Sequence, residues 1–88
     1  MGDKTLKDIC FEYYICWQDL ENFKELAGGF VLYSSRNHER IELHHELMEI
    51  SGLSREDLWD LTNNLNEFKS KLHFYNEVLK KVQEAKNG

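Results

Sequence analysis

His38, Glu42 and His45 follow one another at steps of four and three within His38-Glu39-Arg40-Ile41-Glu42-Leu43-His44-His45-Glu46, so on a helix they share one face. Two imidazoles and a carboxylate so placed can hold zinc or a similar divalent ion, provided that a fourth ligand or a water completes the shell. No cysteine pair, His-Glu-x-x-His or duplicated Glu-x-x-His accompanies them. The plainer reading is a solvated polar face with pairs such as His45 and Glu49. Because free imidazoles titrate near neutrality, the four histidines also make a pH-sensitive surface conceivable.

Nucleophiles are present but lack their helpers. Cys10 and Cys16 stand six residues apart on what reads as one helix, too far along its axis for a disulfide. Both fall in an apolar stripe, which predicts buried, reduced and inert thiols. Ser34, Ser35, Ser51, Ser54 and Ser70 have no nucleophile elbow around them. Gly28-Gly29 lacks the Lys and Ser/Thr that complete a phosphate-binding P-loop. The sequence therefore predicts a protein that is not an enzyme and needs no cofactor.

The elements that must position these residues are helices. The chain has no proline and one pair of adjacent glycines, too few breakers for an all-β fold with many tight turns. Leu6, Ile9, Tyr13, Cys16, Leu20, Phe23 and Ala27 alternate steps of three and four, predicting an amphipathic helix over about 4–26 that Gly28-Gly29 ends. Its stripe is widened by Cys10, Phe11, Tyr14, Ile15 and Trp17, so it should contact two neighbours. Leu58, Leu61, Leu65, Phe68, Leu72, Tyr75, Leu79 and Val82 keep the same alternation without a miss. Ser54 precedes Arg55-Glu56-Asp57 as an N-cap, and Lys80, Lys81 and Lys86 gather where cations suit a helix end, so one helix is predicted over 55–86.

A shorter middle helix is expected over about 38–51, stopped by Gly52. Phe30-Val31-Leu32-Tyr33 carries the bias of a strand, and the alternative pairs 30–35 with 40–45 as a β-hairpin. The expected fold is thus an all-α three-helix bundle, one domain spanning residues 1–88. At 1.5 Å per residue the last helix would be about 48 Å long, more than one partner helix could cover. Its seam near Leu72, Phe74, Tyr75, Leu79 and Val82 would then meet a second copy or another protein.

Composition limits the partners. The net charge is −5, with 41% hydrophobic and 31% charged residues, which suits a globular chain and disfavours phosphate backbones and anionic membranes. All of the excess acidity lies in residues 1–53, which carry five positive and ten negative side chains, whereas 54–88 carry six of each. Such an acidic face can dock on a basic surface, or simply keep the domain in solution. No apolar run is long enough to span a bilayer and the N-terminus lacks a signal-peptide core, so a cytoplasmic location is expected.

The helix-turn-helix outline of residues 41–75 resembles the small helical-hairpin phosphatases that regulate sporulation phosphorelays. Those proteins carry a Ser-Gln-Glu-Leu-Asp signature where this chain reads Thr62-Asn63-Asn64-Leu65-Asn66, with amides in place of the working carboxylates. No family is assigned on that outline. The expected function is a small acidic helical interaction module, a regulator, adaptor or inhibitor that binds a protein partner or itself as a homodimer. Trp17, Trp59, Leu72, Phe74, Tyr75, Leu79 and Val82 are the expected contact residues. The alternatives are a metal-binding bundle using His38, Glu42 and His45, and a nucleic-acid regulator using Arg36, Arg40, Lys69, Lys71, Lys80 and Lys81.

Overall fold

The computed structural model describes residues 4–26, 28–63 and 65–87, which form helices α1 (Leu6–Lys24), α2 (Phe30–Ser51), α3 (Arg55–Asn63) and α4 (Lys71–Asn87), with a short 3-10 turn at Leu65–Glu67. Ala27 of the first stripe and Asn64 of the amide stretch lie outside the described residues. The fold is all-α as expected, with no strand among the described residues and four helices where three were anticipated.

Helix α1 is the spine. It opens with a capping box in which the Thr5 hydroxyl accepts from the Asp8 N–H and the Asp8 carboxylate accepts from the Thr5 N–H, both at 3.2 Å. Its wide apolar stripe buries Ile9, Cys10, Tyr13, Tyr14, Cys16 and Leu20 and, as predicted, packs against two neighbours, α2 and α4.

Helix α2 begins at Phe30, eight residues before the predicted start, and the hairpin alternative is therefore wrong. The reason is visible in its inner face. Tyr33, Arg36, Asn37, Arg40, Leu43, His44, Leu47 and Met48 form one unbroken helical stripe of buried and half-buried residues. Its first half is polar, so a search for apolar periodicity does not see it. The Cys16 thiol donates to the Arg36 carbonyl at 3.4 Å, and Asp19 pairs with Arg36 at 3.1 Å, so α2 runs antiparallel to α1 from its first turns. Gly29 makes the reversal possible, because a Cβ there would overlap the Phe23 carbonyl oxygen. Gly52 stops α2 as predicted, at φ +73°.

The predicted helix over 55–86 is broken. Ser54 does cap α3, its hydroxyl accepting from the Asp57 N–H at 3.1 Å. The chain leaves the helix after Asn63, a residue type that favours helix exits over helix interiors, and takes the short 3-10 turn at Leu65–Glu67. It restarts at Ser70, which accepts from the His73 N–H while His73 Nδ1 accepts from the Lys69 N–H, each at 3.1 Å. The Tyr14 hydroxyl donates to the Phe68 carbonyl at 3.0 Å, tying the interruption to the spine.

The break resets the phase of the last helix. Leu58, Leu61 and Leu65 remain inward, but α4 buries Phe74 and Val78, with Tyr75 and Val82 half-buried beside them, and turns Leu72 and Leu79 outward. The long unmatched seam expected from an uninterrupted helix does not form. Phe74 instead stacks on Tyr13 with ring centroids 5.9 Å apart and 13° between planes, and lies 6.1 Å from Tyr14 and 5.4 Å from Phe68. The described residues span 47 × 33 × 21 Å, about two helix layers thick.

Candidate functional site

The residues singled out by spacing are scattered. His38 Nε2 lies 3.4 Å from Glu42 Oε1 with both side chains well exposed, an ordinary i,i+4 pair on the solvated face of α2. His45 is exposed too, and no group of three or more potential metal ligands gathers among the described residues. Cys10 and Cys16 are fully buried free thiols. Burial alone pushes Cys10 up to about 12, and burial also raises Cys16, so neither supplies a thiolate near neutral pH.

The expected contact residues divide in two. Phe74 is fully buried, while Tyr75, Val82 and Trp17 are half-buried, Tyr75 lying edge-on to Phe11 at 6.2 Å. Among the described residues Trp17 Nε1 has no hydrogen-bond partner, and the Arg40 guanidinium covers the indole at 5.2 Å from its centroid. Trp59, Leu72 and Leu79 are exposed, on α3 and α4. Of the candidate basic residues, Arg36 is held by Asp19 and Glu39, Lys81 lies 4.0 Å from Asp60, and Lys71 sits over the Phe11 ring at 4.8 Å.

Two surfaces emerge that spacing did not show. At the α1–α2 tip, Phe30, Val31 and Leu32 are 79%, 70% and 50% exposed, with Leu26 exposed just before the turn. Three consecutive large apolar residues cannot all face inward on one helix, and that was the available signal. Their strand-like bias masked it, and here the bias reflects residues left in water.

The second surface is a cleft of about 370 Å³ between the latter half of α2 and the start of α3. Arg40, His44, His45 and Arg55 line it, with Ile41 and Met48 in its wall and Trp59, 60% exposed, at its edge. Among the described residues no acidic side chain lines it. The Tyr13 hydroxyl, buried beneath, is hydrogen-bonded to His44 Nδ1 at 3.1 Å, and Arg40 Nε donates to Asn37 Oδ1 at 2.8 Å. Burial lowers the His44 pKa, and the charges of Arg40, His45 and Arg55 lower it further. A comparable hollow on the other side of α2, lined by Lys4, Glu12, Arg36, Glu39, Glu42 and Glu46, is predominantly acidic.

Comparison with protein-family models, curated proteins and solved structures finds no match to this chain. Among the described residues no helix is long and apolar enough to cross a membrane.

Proposed function

We propose that this chain is a small helical interaction module that works by protein binding, and that the α1–α2 tip is its contact surface with a second copy of itself. The observation that carries this reading is the exposure of Phe30, Val31, Leu32 and Leu26 at one turn. Together they leave about 400 Å² of apolar surface in water, the size of patch that is often functional on a small protein. The solvent penalty for leaving that area bare is about 10 kcal/mol at 25 cal/mol per Å².

A self-complementary patch can pair across a two-fold axis, placing Phe30 of each copy against the tip of the other. Two patches would remove about 800 Å² from water, below the 1,200–2,000 Å² of a standard stable interface. The half-buried Tyr33 and the polar side chains of Lys24 and Glu25 would supply the rim. The association is therefore weak, with dissociation in the micromolar range or above.

Sedimentation velocity from micromolar to sub-millimolar concentration tests this. A concentration-dependent dimer that disappears in the Phe30→Ser, Val31→Thr double variant is the expected result. A monomer at every concentration, or a dimer indifferent to those substitutions, removes the tip from this role.

A further inference from the structure

We propose that the cleft between α2 and α3 is a binding site for a small phosphorylated aromatic ligand of the nucleoside monophosphate class, with Arg40, Arg55 and His45 on the phosphate and Trp59 stacked on the ring.

Charge placement carries the inference. The chain has sixteen carboxylates for eleven Lys and Arg, and among the described residues Lys4 pairs with Glu12 at 2.9 Å, Lys24 with Glu21 at 3.3 Å, Arg36 with Asp19 and Glu39, and Lys81 with Asp60 at 4.0 Å. Arg40 and Arg55, two of its three arginines, have no carboxylate partner among the described residues, yet they share one cleft with two of the four histidines. Gathering like charge without a counter-ion costs stability; the His44 imidazole, lowered first by burial, is lowered further by Arg40, His45 and Arg55. An anion in the cleft would reverse the sign of that interaction, and an arginine pair is suited to the geometry of a phosphate.

The apolar wall defines the rest of the ligand. Trp59 stands one turn beyond Arg55 on α3 and presents its indole to solvent at the edge of the cleft, beside Ile41 and Met48. An exposed indole next to paired cations suits a ring that stacks while its phosphate is held. A volume of about 370 Å³ falls at the small end of ligand sites, about 300–1,000 Å³. The surroundings exclude a polymer. Glu42, Glu46 and Glu49 lie on the same helix, and Glu56 and Asp57 follow Arg55, so a long polyanion running out of the cleft would meet like charge. Along α2 the cleft is about 20 Å from the apolar tip, so the two sites can succeed or fail separately.

The test is calorimetric titration of the intact chain with AMP at low ionic strength, alongside adenosine and inorganic phosphate, with the Trp59 indole and His44 and His45 ring signals followed by NMR. AMP should saturate and shift those signals, and should bind more tightly than phosphate or adenosine alone. Arg55→Gln should weaken AMP at least about tenfold. Trp59→Leu should weaken AMP about tenfold and leave inorganic phosphate unchanged. Both residues are exposed, so these variants retain the fold, and the Phe30→Ser, Val31→Thr variant should bind AMP as the unaltered chain does. Absence of saturable AMP binding, or AMP binding unaltered in Arg55→Gln, overturns the proposal. Phosphate binding as tightly as AMP overturns the role given to Trp59.

Discussion

At the scale of single residues, burial decides which groups have chemistry available. Cys10 and Cys16 carry the most nucleophilic atoms in the chain, and both are sealed against the interior face of α1. A thiol raised to about 12, as Cys10 is, stays protonated at neutral and mildly alkaline pH. Neither cysteine should therefore react with a thiol reagent at pH 8 in the native chain, and both should react in denaturant; the measurement is the stoichiometry of labelling by mass spectrometry. This placement was legible in the sequence, because a cysteine inside an apolar stripe has only one face to turn to. His44 was not legible. Nothing in its spacing distinguishes it from His45, yet it alone of the two sits over a buried tyrosine hydroxyl. Its pKa is lowered from an ordinary 6.5, first by burial and then by Arg40, His45 and Arg55, while Tyr13 faces it from α1. The unfolded chain consequently takes up the His44 proton before the folded chain does. The His44 contribution to stability is complete above pH 6.5 and is lost as the pH falls from there towards the lowered native value. Urea unfolding between pH 7.5 and 5.5 should show this loss, and the His44→Gln variant should show a shallower dependence.

At the scale of elements, the sequence reports a helix through its apolar rhythm and misses what interrupts or replaces that rhythm. Helix α1 and the Ser54 and Gly52 boundaries were readable because each rests on a local signal: a stripe, a capping hydroxyl, a glycine with positive φ. The first half of α2 was not, since Tyr33, Arg36, Asn37 and Arg40 make its inward face from polar or amphipathic side chains, of which Tyr33 meets Lys24, Arg36 meets Asp19 and Arg40 meets Trp17 on α1. The break after α3 was missed for the opposite reason. A continuous seven-residue rhythm overrode the warning given by Asn63 and the second capping serine, Ser70, and the phase of α4 was read one step off. The observed phase sets Phe74 apart from Leu72, two residues the sequence placed near one seam. Phe74→Ala should cost about 3–5 kcal/mol, since it removes a ring packed against Tyr13, Tyr14 and Phe68. Leu72→Ala should cost no more than about 0.5 kcal/mol, because its side chain is already in water. Chemical denaturation of the two variants measures both, and equal costs would contradict the observed phase.

For the whole molecule, surface chemistry is segregated along α2: apolar at its start, acidic on one flank, cationic and aromatic on the other where α3 approaches. The acidic excess of the first 53 residues foreshadowed the acidic flank. The cationic cleft could not be read, because its arginines and tryptophan come from two helices brought together only by the turn at Gly52. Segregation gives the proposed self-association a signature of its own. A contact made by Phe30, Val31, Leu32 and Leu26 is driven by water release, with little charge crossing it. Raising the salt from about 0.05 M to about 0.5 M shortens the screening length from near 14 Å to near 4 Å, which weakens contacts between exposed charges and leaves apolar contacts almost untouched. The dimer constant measured by sedimentation should therefore change by no more than about twofold over that range, and any change should favour the dimer, because salt also reduces the mutual repulsion of two chains of net charge −5. Dissociation on adding salt would mean that the copies meet through the cationic cleft and the acidic flank, a head-to-tail contact that does not close on itself, and the tip would then be left with no part in assembly.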